Sequence, residues 1–158
     1  MAERPDVEVS THVDAPAAVV YDLVADLPRM GQWSPECTRV AWRGGATGAA
    51  KGAGFRGWNR RGPIRWRTDG VIVEAERARA LVFDVRGLGL RVARWGYRFE
   101  PDADGRGCTV TEEWTDHRSR PYALLTGVAI NIRDRAAHNR DGMERTLASI
   151  KATAEARG

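Results

Sequence analysis

The chain has 158 residues, 42% of them hydrophobic, and a formal net charge of +4 at pH 7. Because this length and apolar content allow a real hydrophobic core, they exclude a chain that is disordered throughout and predict one domain over residues 1–158. The positive charge does not indicate a nucleic-acid-binding protein, since the basic residues are interleaved with Asp and Glu and no nucleic-acid-binding motif is present.

The sequence lacks the motifs that hold metals, bind phosphates or activate nucleophiles. Cys37 and Cys108 lie far apart, and neither CxxC nor HExxH spacing occurs, so we expect no metal site. The glycine-rich residues 44–48 match no phosphate-binding pattern, and none of the histidines has a Ser or Cys partner in a catalytic motif. We therefore expect no cofactor.

Two features of the sequence bear on location. Residues 1–6 are polar and lack the apolar run of a signal peptide, and the longest mostly apolar stretch, 122–132, is too short to span a bilayer. We therefore expect a cytoplasmic protein with reduced thiols and no integral membrane contact.

The first part of the chain predicts a strand followed by two short helices. Apolar and polar residues alternate over 7–13, which is typical of a half-buried strand. Pro16 suits the first turn of the next helix, with Asp14 as its cap. Pro28 ends that helix or begins a second short one, which runs to about Trp33.

From residue 37 the pattern predicts strands until a helical tail begins near Ser119. The tail is expected to kink at Gly127, and 134–156 predicts a long helix with one apolar stripe. That stripe consists of Asn139, Met143, Leu147, Ile150 and Ala154. The predicted strands are 38–42, 54–60, 64–76, 81–86, 91–101 and 108–116, separated by turns.

Short segments spread along almost the whole chain add to this order of elements. They are Val13-Asp14-Ala15-Pro16 with Val20-Tyr21, Trp33-Ser34-Pro35, Phe55 to Gly62, Trp66, Trp95-Gly96-Tyr97, Thr109 to Glu112, and Asn139 to Met143. With these segments, the chain resembles the polyketide cyclase/dehydrase branch of the START-like ligand-binding superfamily, which includes birch-pollen-type proteins.

This resemblance implies an α+β helix-grip fold, in which a curved antiparallel sheet wraps around a long C-terminal helix and two short helices follow the first strand. It also implies an internal cavity for a small hydrophobic ligand. Members of the superfamily include aromatases, cyclases, lipid carriers and hormone receptors, so the resemblance does not identify an activity.

The parity of the strands predicts an aromatic inner surface. Because residues two apart on a strand share a face, the arginines of the same strands are expected to point outward. Such an aromatic set is typical of the wall of a site for a planar or apolar ligand; the alternative is that the rings fill a packed core. The predicted ring-bearing site residues are Trp33, Trp66, Phe83, Trp95, Tyr97 and Trp114.

Three polar residues are expected on this inner surface. Glu112 shares a strand face with Val110, and a carboxyl group there must pair, hydrogen-bond or hold a proton. It is the candidate general acid or base, unless it reaches solvent or an arginine. Asn59 and Asn139, with Met143, are expected to contact a ligand; the alternative is that each amide bonds to nearby backbone.

Trp58 is expected to face outward among Arg56, Arg60, Arg65 and Arg67. Such a face could contact a protein or a membrane surface, or the arginine side chains could cover the indole ring.

Two functions therefore remain open from the sequence. The first is binding of a small hydrophobic or aromatic molecule, lipid-like or polyketide-like, without chemistry. The second is a cofactor-independent polyketide cyclase, aromatase or dehydratase, in which the fold positions a poly-ketone chain and Glu112 moves protons. The ligand, the oligomeric state and the pathway are not determined by the sequence.

Overall fold

Seven strands form an antiparallel sheet in the order β1-β7-β6-β5-β4-β3-β2. The structure is a computed structural model that describes residues 3–157. The strands are β1 (Val7–Val13), β2 (Cys37–Arg43), β3 (Gly54–Arg61), β4 (Ile64–Glu76), β5 (Ala80–Gly87), β6 (Leu90–Pro101) and β7 (Cys108–Asp116).

The helices lie where the chain leaves this sheet. Helix α1 (Ala17–Ala25) and a 3-10 helix (Leu27–Gln32) connect β1 to β2, and α2 (Arg120–Ala129) and α3 (Arg135–Ala156) follow β7. Within residues 3–157, none of these helices is long and apolar enough to cross a membrane.

Helix α3 packs along β1 and against α1. Its N-terminus is capped by Asp134, whose side chain accepts a hydrogen bond from the backbone N–H of Ala137. The predicted stripe from Asn139 to Ala154 is buried, so one face of α3 covers the inner surface of the sheet. The helix-grip fold expected from the sequence is confirmed.

The core fills only one end of the space between α3 and the sheet. At that end, Ile150 of α3 and Val110 of β7 are fully buried, and the rings of Tyr21 and Phe99 meet edge to face with their centroids 5.5 Å apart. The N-terminal half of α3 faces a cavity instead. The fold therefore separates a packed half from an open half.

The two faces of the sheet differ in charge, as strand parity predicts. On the outer face, Arg94 donates to Asp84 at 2.7 Å and Arg56 donates to Asp69 at 2.7 Å. On the inner face of the same strands, Phe83 and Phe55 are buried. Ion pairs of this exposed kind contribute little stability, so the buried apolar face carries most of the sheet's contribution.

Two local expectations were wrong. Asp14 does not cap α1: Pro16 occupies the N-cap position, and the backbone N–H of Asp14 donates to Glu155 at 3.0 Å. The tail is also not one kinked helix, because the break lies after α2 and not at Gly127. Asn131, with φ of 52°, turns the chain there between α2 and α3.

Candidate functional site

A cavity of about 790 Å³ lies between the inner face of the sheet and the N-terminal half of α3. This volume falls in the range of small-molecule sites in proteins. It reaches solvent beside the hairpins that join β3 to β4 and β5 to β6, where the exposed residues Gly62 and Leu88 line it. We call this opening the cavity mouth.

Aromatic rings from five neighbouring strands line the wall on the side of the sheet. Trp95 and Trp114 are paired across β6 and β7, with their ring centroids 6.5 Å apart. Phe83 of β5 meets Phe55 of β3 edge to face at 5.4 Å. The wall includes five of the six predicted rings, Trp66, Phe83, Trp95, Tyr97 and Trp114.

Small residues on the inner face leave room between these rings. Gly57 lines the cavity at a position where a side chain would otherwise project inward. Gly70, paired with Phe55, lets that ring lie against the strand, because a Cβ there would overlap it. Ala93 adds a short side chain on β6. Because these small residues leave space on the inner face of the sheet, the aromatic rings line a cavity and do not fill it.

Glu112 lies in the wall, fully enclosed by protein. Its Oε1 accepts a hydrogen bond of 2.8 Å from the hydroxyl of Tyr97, the residue opposite it on β6. Burial raises the pKa of Glu112 from its usual 4.5 to about 8, although the Tyr97 hydrogen bond acts in the opposite direction. At neutral pH the carboxyl group is therefore mainly protonated and can donate a hydrogen bond.

Several polar atoms of the wall have no hydrogen-bond partner within the described residues. They are Oε2 of Glu112, Nδ2 of Asn139 and Nη1 of Arg135. A buried polar group without a partner costs about 1–3 kcal/mol, so this wall can hold a ligand that offers complementary oxygen atoms. Asn59 is placed differently, since its Nδ2 lies 3.5 Å from Oγ1 of Thr68, within the same wall.

Arg135 is a wall residue that the sequence analysis missed. Its guanidinium donates to Glu36 at 3.2 Å, and His138 contacts the other oxygen of the same carboxylate at 3.0 Å. Burial lowers the pKa of Arg135. Arg135 precedes Asn139 by four residues, so extending the predicted stripe of α3 by one turn would have found it.

Helix α2 lies at the cavity mouth and was also missed as a separate element. The Tyr122 hydroxyl donates to the backbone oxygen of Gly87 at 3.1 Å, which ties α2 to the β5–β6 hairpin. Arg61 donates to the backbone oxygens of Ile130, at 3.0 Å, and Asn131, which ties the end of α2 to the β3–β4 hairpin. Tyr122 and Ile130 line the cavity.

Trp33 lies elsewhere than expected, whereas Trp58 faces outward as expected but stacks with a different arginine. Trp33 is buried but is not part of the cavity wall, because it follows the 3-10 helix and packs in the core under the guanidinium of Arg29, 5.1 Å from the ring. Trp58 is half-buried on the outer face of β3, where the guanidinium of Arg39 lies 4.5 Å above its ring. The stack is formed with β2, not with the arginines of β3 and β4.

The remaining predicted residues, Asn139 and Met143, line the cavity from α3. Among residues 3–157, no group of three or more His, Cys, Asp or Glu side chains is placed to hold a metal ion. Cys37 and Cys108 are free thiols.

Comparison with solved structures found similar folds in proteins of different kinds. The di-domain ARO/CYC StfQ from the steffimycin biosynthetic pathway matches 94% of this chain with a TM-score of 0.67 and 16% identity. The match covers 44% of StfQ, so this chain spans less than half of that protein's length. The ginseng major latex-like protein 151 from Panax ginseng matches 94% of this chain and 95% of its own, with a TM-score of 0.65 and 9% identity.

A third similar structure is nearer in sequence. The Polyketide_cyc-like protein Cgl2372 from Corynebacterium glutamicum is 29% identical over 96% of this chain and 91% of its own, with a TM-score of 0.61. A search of curated proteins found no match. The model of one family, described as polyketide cyclase / dehydrase and lipid transport, matches residues 4–155. The chain therefore belongs to the polyketide cyclase/dehydrase and lipid transport family.

Proposed function

We propose that this protein binds a small hydrophobic or aromatic molecule, lipid-like or polyketide-like, in the cavity beneath α3. The observation that supports this most is the combination of an aromatic wall with buried polar atoms that have no protein partner. Protein interiors normally fill their space and pair their polar groups, so the occurrence of both features around one cavity favours a ligand site over a packed core.

The composition of the wall indicates the chemistry of the ligand. Flat rings such as Trp66 and Trp95 favour an aromatic or extended apolar body, which they can contact face to face or edge to face. The amide of Asn139 and the guanidinium of Arg135 are hydrogen-bond donors, and so is Glu112 while it is protonated. The proposed ligand is therefore apolar with one or more carbonyl or hydroxyl oxygens.

A cavity-filling variant tests this proposal. Thr68 lies on the inner face of β4, so Thr68→Trp should place an indole ring in the cavity. With 1,8-dihydroxyanthraquinone as the probe, we expect quenching of tryptophan fluorescence in the unmodified protein and a Kd raised at least about tenfold in Thr68→Trp.

The matched control uses the outer face of the same strand. Val71 is exposed there, so Val71→Trp adds the same ring outside the cavity and should leave the Kd within about twofold. If Thr68→Trp does not fold, Val85→Trp on β5 fills the same cavity. Equal binding by cavity-filling and control variants would contradict the proposal.

A second function, cyclisation or dehydration of a poly-ketone chain, is favoured by one observation: Glu112 is buried in the cavity wall beside Tyr97, and this burial raises its pKa to about 8. A neutral carboxyl group can give its proton to a carbonyl oxygen as a general acid. StfQ, which has a similar fold, is described as a di-domain ARO/CYC; that description is of StfQ and not of this chain. Catalysis by this chain predicts that Glu112→Gln abolishes turnover of a poly-ketone substrate while sparing probe binding.

We also propose a cytoplasmic location without nucleic-acid binding. Free Cys37 and Cys108 are typical of a reducing compartment.

A further inference from the structure

The positive charge of the chain is concentrated around the cavity mouth. Three segments meet there: the β3–β4 hairpin (60–67), the β5–β6 hairpin (86–91), and α2 with the loop after it (120–133). They contain eight of the 25 basic residues and no Asp or Glu. The rest of the chain contains the other 17 basic residues and all 21 acidic residues, so its net charge is −4. The eight are Arg60, Arg61, Arg65, Arg67, Arg86, Arg91, Arg120 and Arg133.

These segments form one continuous surface, which we call the mouth face. The bonds from Tyr122 to Gly87 and from Arg61 to Ile130 join α2 to both hairpins. Each segment also contributes to the wall of the cavity, for example through Leu88 and Thr126. The concentration of charge is therefore one feature of the folded molecule and not three separate ones.

None of the eight arginines forms an ion pair with a carboxylate among residues 3–157. Acidic residues beside this face are already engaged. Asp69, the cross-strand partner of Arg86, pairs with Arg56 at 2.7 Å. Glu36 pairs with Arg135 at 3.2 Å, Asp116 pairs with Arg118 at 2.6 Å, and Asp134 caps α3. Arg60 and Arg61 bond to backbone oxygens, and Arg91 contacts His117 at 3.1 Å. Because no carboxylate of the described residues pairs with any of the eight arginines, their positive charge is available to an external anion.

The mouth face also carries the exposed apolar side chains. Leu88, at the tip of the β5–β6 hairpin, is 96% exposed, and Leu124, Leu125 and Val128 of α2 are 73%, 66% and 75% exposed. Among residues 3–157, the large exposed hydrophobic residues all lie on this face except Val71. A cluster of this kind marks a surface that contacts something apolar.

We propose that the mouth face docks onto the surface of a bilayer that contains anionic lipids. The leucines would enter the boundary between headgroups and acyl chains, and the arginines would meet the phosphates. A bilayer suits this face because its apolar residues project from separate tips, a turn and a helix, around an opening. A folded protein partner would need a complementary pocket for each of these tips, whereas a fluid lipid surface can accommodate all of them.

This inference goes beyond the proposed function and is tested without a cavity ligand. The protein is sedimented with vesicles of phosphatidylcholine alone or of phosphatidylcholine mixed with phosphatidylglycerol, in about 0.1 M salt. We expect binding to the anionic vesicles at least about tenfold stronger than to the neutral ones, since each arginine near an anionic surface contributes to binding.

Charge-reversal variants separate the mouth face from the charge of the whole molecule. Arg65→Glu/Arg120→Glu should weaken binding to anionic vesicles at least about tenfold. The control, Arg79→Glu/Arg106→Glu, changes the net charge equally at exposed positions on the opposite end of the sheet. It should keep clearly stronger binding than the mouth-face variant.

Apolar variants test the leucines in the same way. Leu88→Gln/Leu125→Gln should weaken binding about tenfold, whereas Val71→Gln should not. All of these side chains are exposed, so melting temperatures should stay near that of the unmodified protein; Leu124→Gln can replace either leucine variant if one does not fold. Failure to sediment with anionic vesicles, or equal losses in mouth-face and control variants, would overturn the proposal and leave a protein partner as the occupant of this face.

Discussion

Glu112 is a buried carboxyl group in the cavity wall, and its burial determines its chemistry. Its neighbour Tyr97 supplies one hydrogen bond, and its second oxygen has no partner within the described residues. Removing a carboxylate from water without a counter-charge is costly, so the folded protein holds the proton instead. A ligand oxygen that accepts this proton in a hydrogen bond would use a group that the fold already keeps neutral.

The raised pKa predicts how stability depends on pH. Between its usual 4.5 and about 8, the unfolded chain ionises Glu112 while the folded chain keeps it protonated. The folded state then binds more protons, so stability falls as pH rises, by up to about 1.4 kcal/mol per pH unit from this residue, and the loss is constant above about pH 8. Glu112→Gln should remove this contribution.

Urea unfolding at several pH values measures the effect. We expect the stability of Glu112→Gln relative to the unmodified protein to increase from about pH 5 to about pH 8. Glu113→Gln is the matched control, because the adjacent carboxylate faces Arg98 on the outer side of the sheet, 3.6 Å away. A difference between Glu112→Gln and the unmodified protein that stays constant over this range would contradict the assignment.

Sequence reasoning placed Glu112 well because strand parity is reliable beside clear turns. It missed Arg135, since an arginine one turn before Asn139 on a helix normally points to solvent. It misplaced Trp33, since aromatic character predicts burial but does not show which side of a helix the cavity lies on. The type of a side chain therefore predicts whether it is buried better than it predicts whether it points into the cavity.

At the level of elements, the strands were the most predictable part. The bounds of β4 and β7 agree with the prediction, because the hairpin at Gly62-Pro63 and the loop 102–107 contain residues that favour turns. The tail was less predictable. Helix α2 buries no residue fully, and its large apolar side chains Leu124, Leu125 and Val128 are exposed, so no buried apolar stripe marks this helix in the sequence.

The contact between the 3-10 helix and β2 gives a prediction at this level. Gly31 lies against β2 so closely that a Cβ there would overlap the backbone oxygen of Thr38. Because backbone cannot move as a flexible side chain can, Gly31→Ala should lower the free energy of unfolding by about 1–3 kcal/mol, measured by urea denaturation.

Gly48 provides the control for this substitution. A Cβ at Gly48 meets no atom within 4 Å, and the residue lies in the exposed loop before β3. Gly48→Ala should therefore change stability by less than about 0.5 kcal/mol. Equal effects of the two substitutions would show that the 3-10 helix does not pack on β2 as described.

The whole molecule owes its cavity to the way in which one helix covers a seven-stranded sheet. Helix α3 packs closely along β1 and α1, where its C-terminal half completes the core. At the other end, the glycines of β3 and β4 and the distance to the opposite wall leave about 790 Å³ unfilled. The family and the fold were predictable from short sequence segments. The volume of the cavity was not, because it depends on how residues from many distant segments pack together.

The central claim is that this space receives an apolar ligand. Isotope-filtered NMR of the protein with 1,8-dihydroxyanthraquinone tests it most directly, by measuring nuclear Overhauser effects between ligand protons and assigned side chains. We predict contacts from the ligand to the indole protons of Trp66 and Trp95 and to the methyl group of Met143, which line the cavity on opposite sides. Contacts only to outer-face residues such as Val71, or none at saturating ligand, would contradict the account.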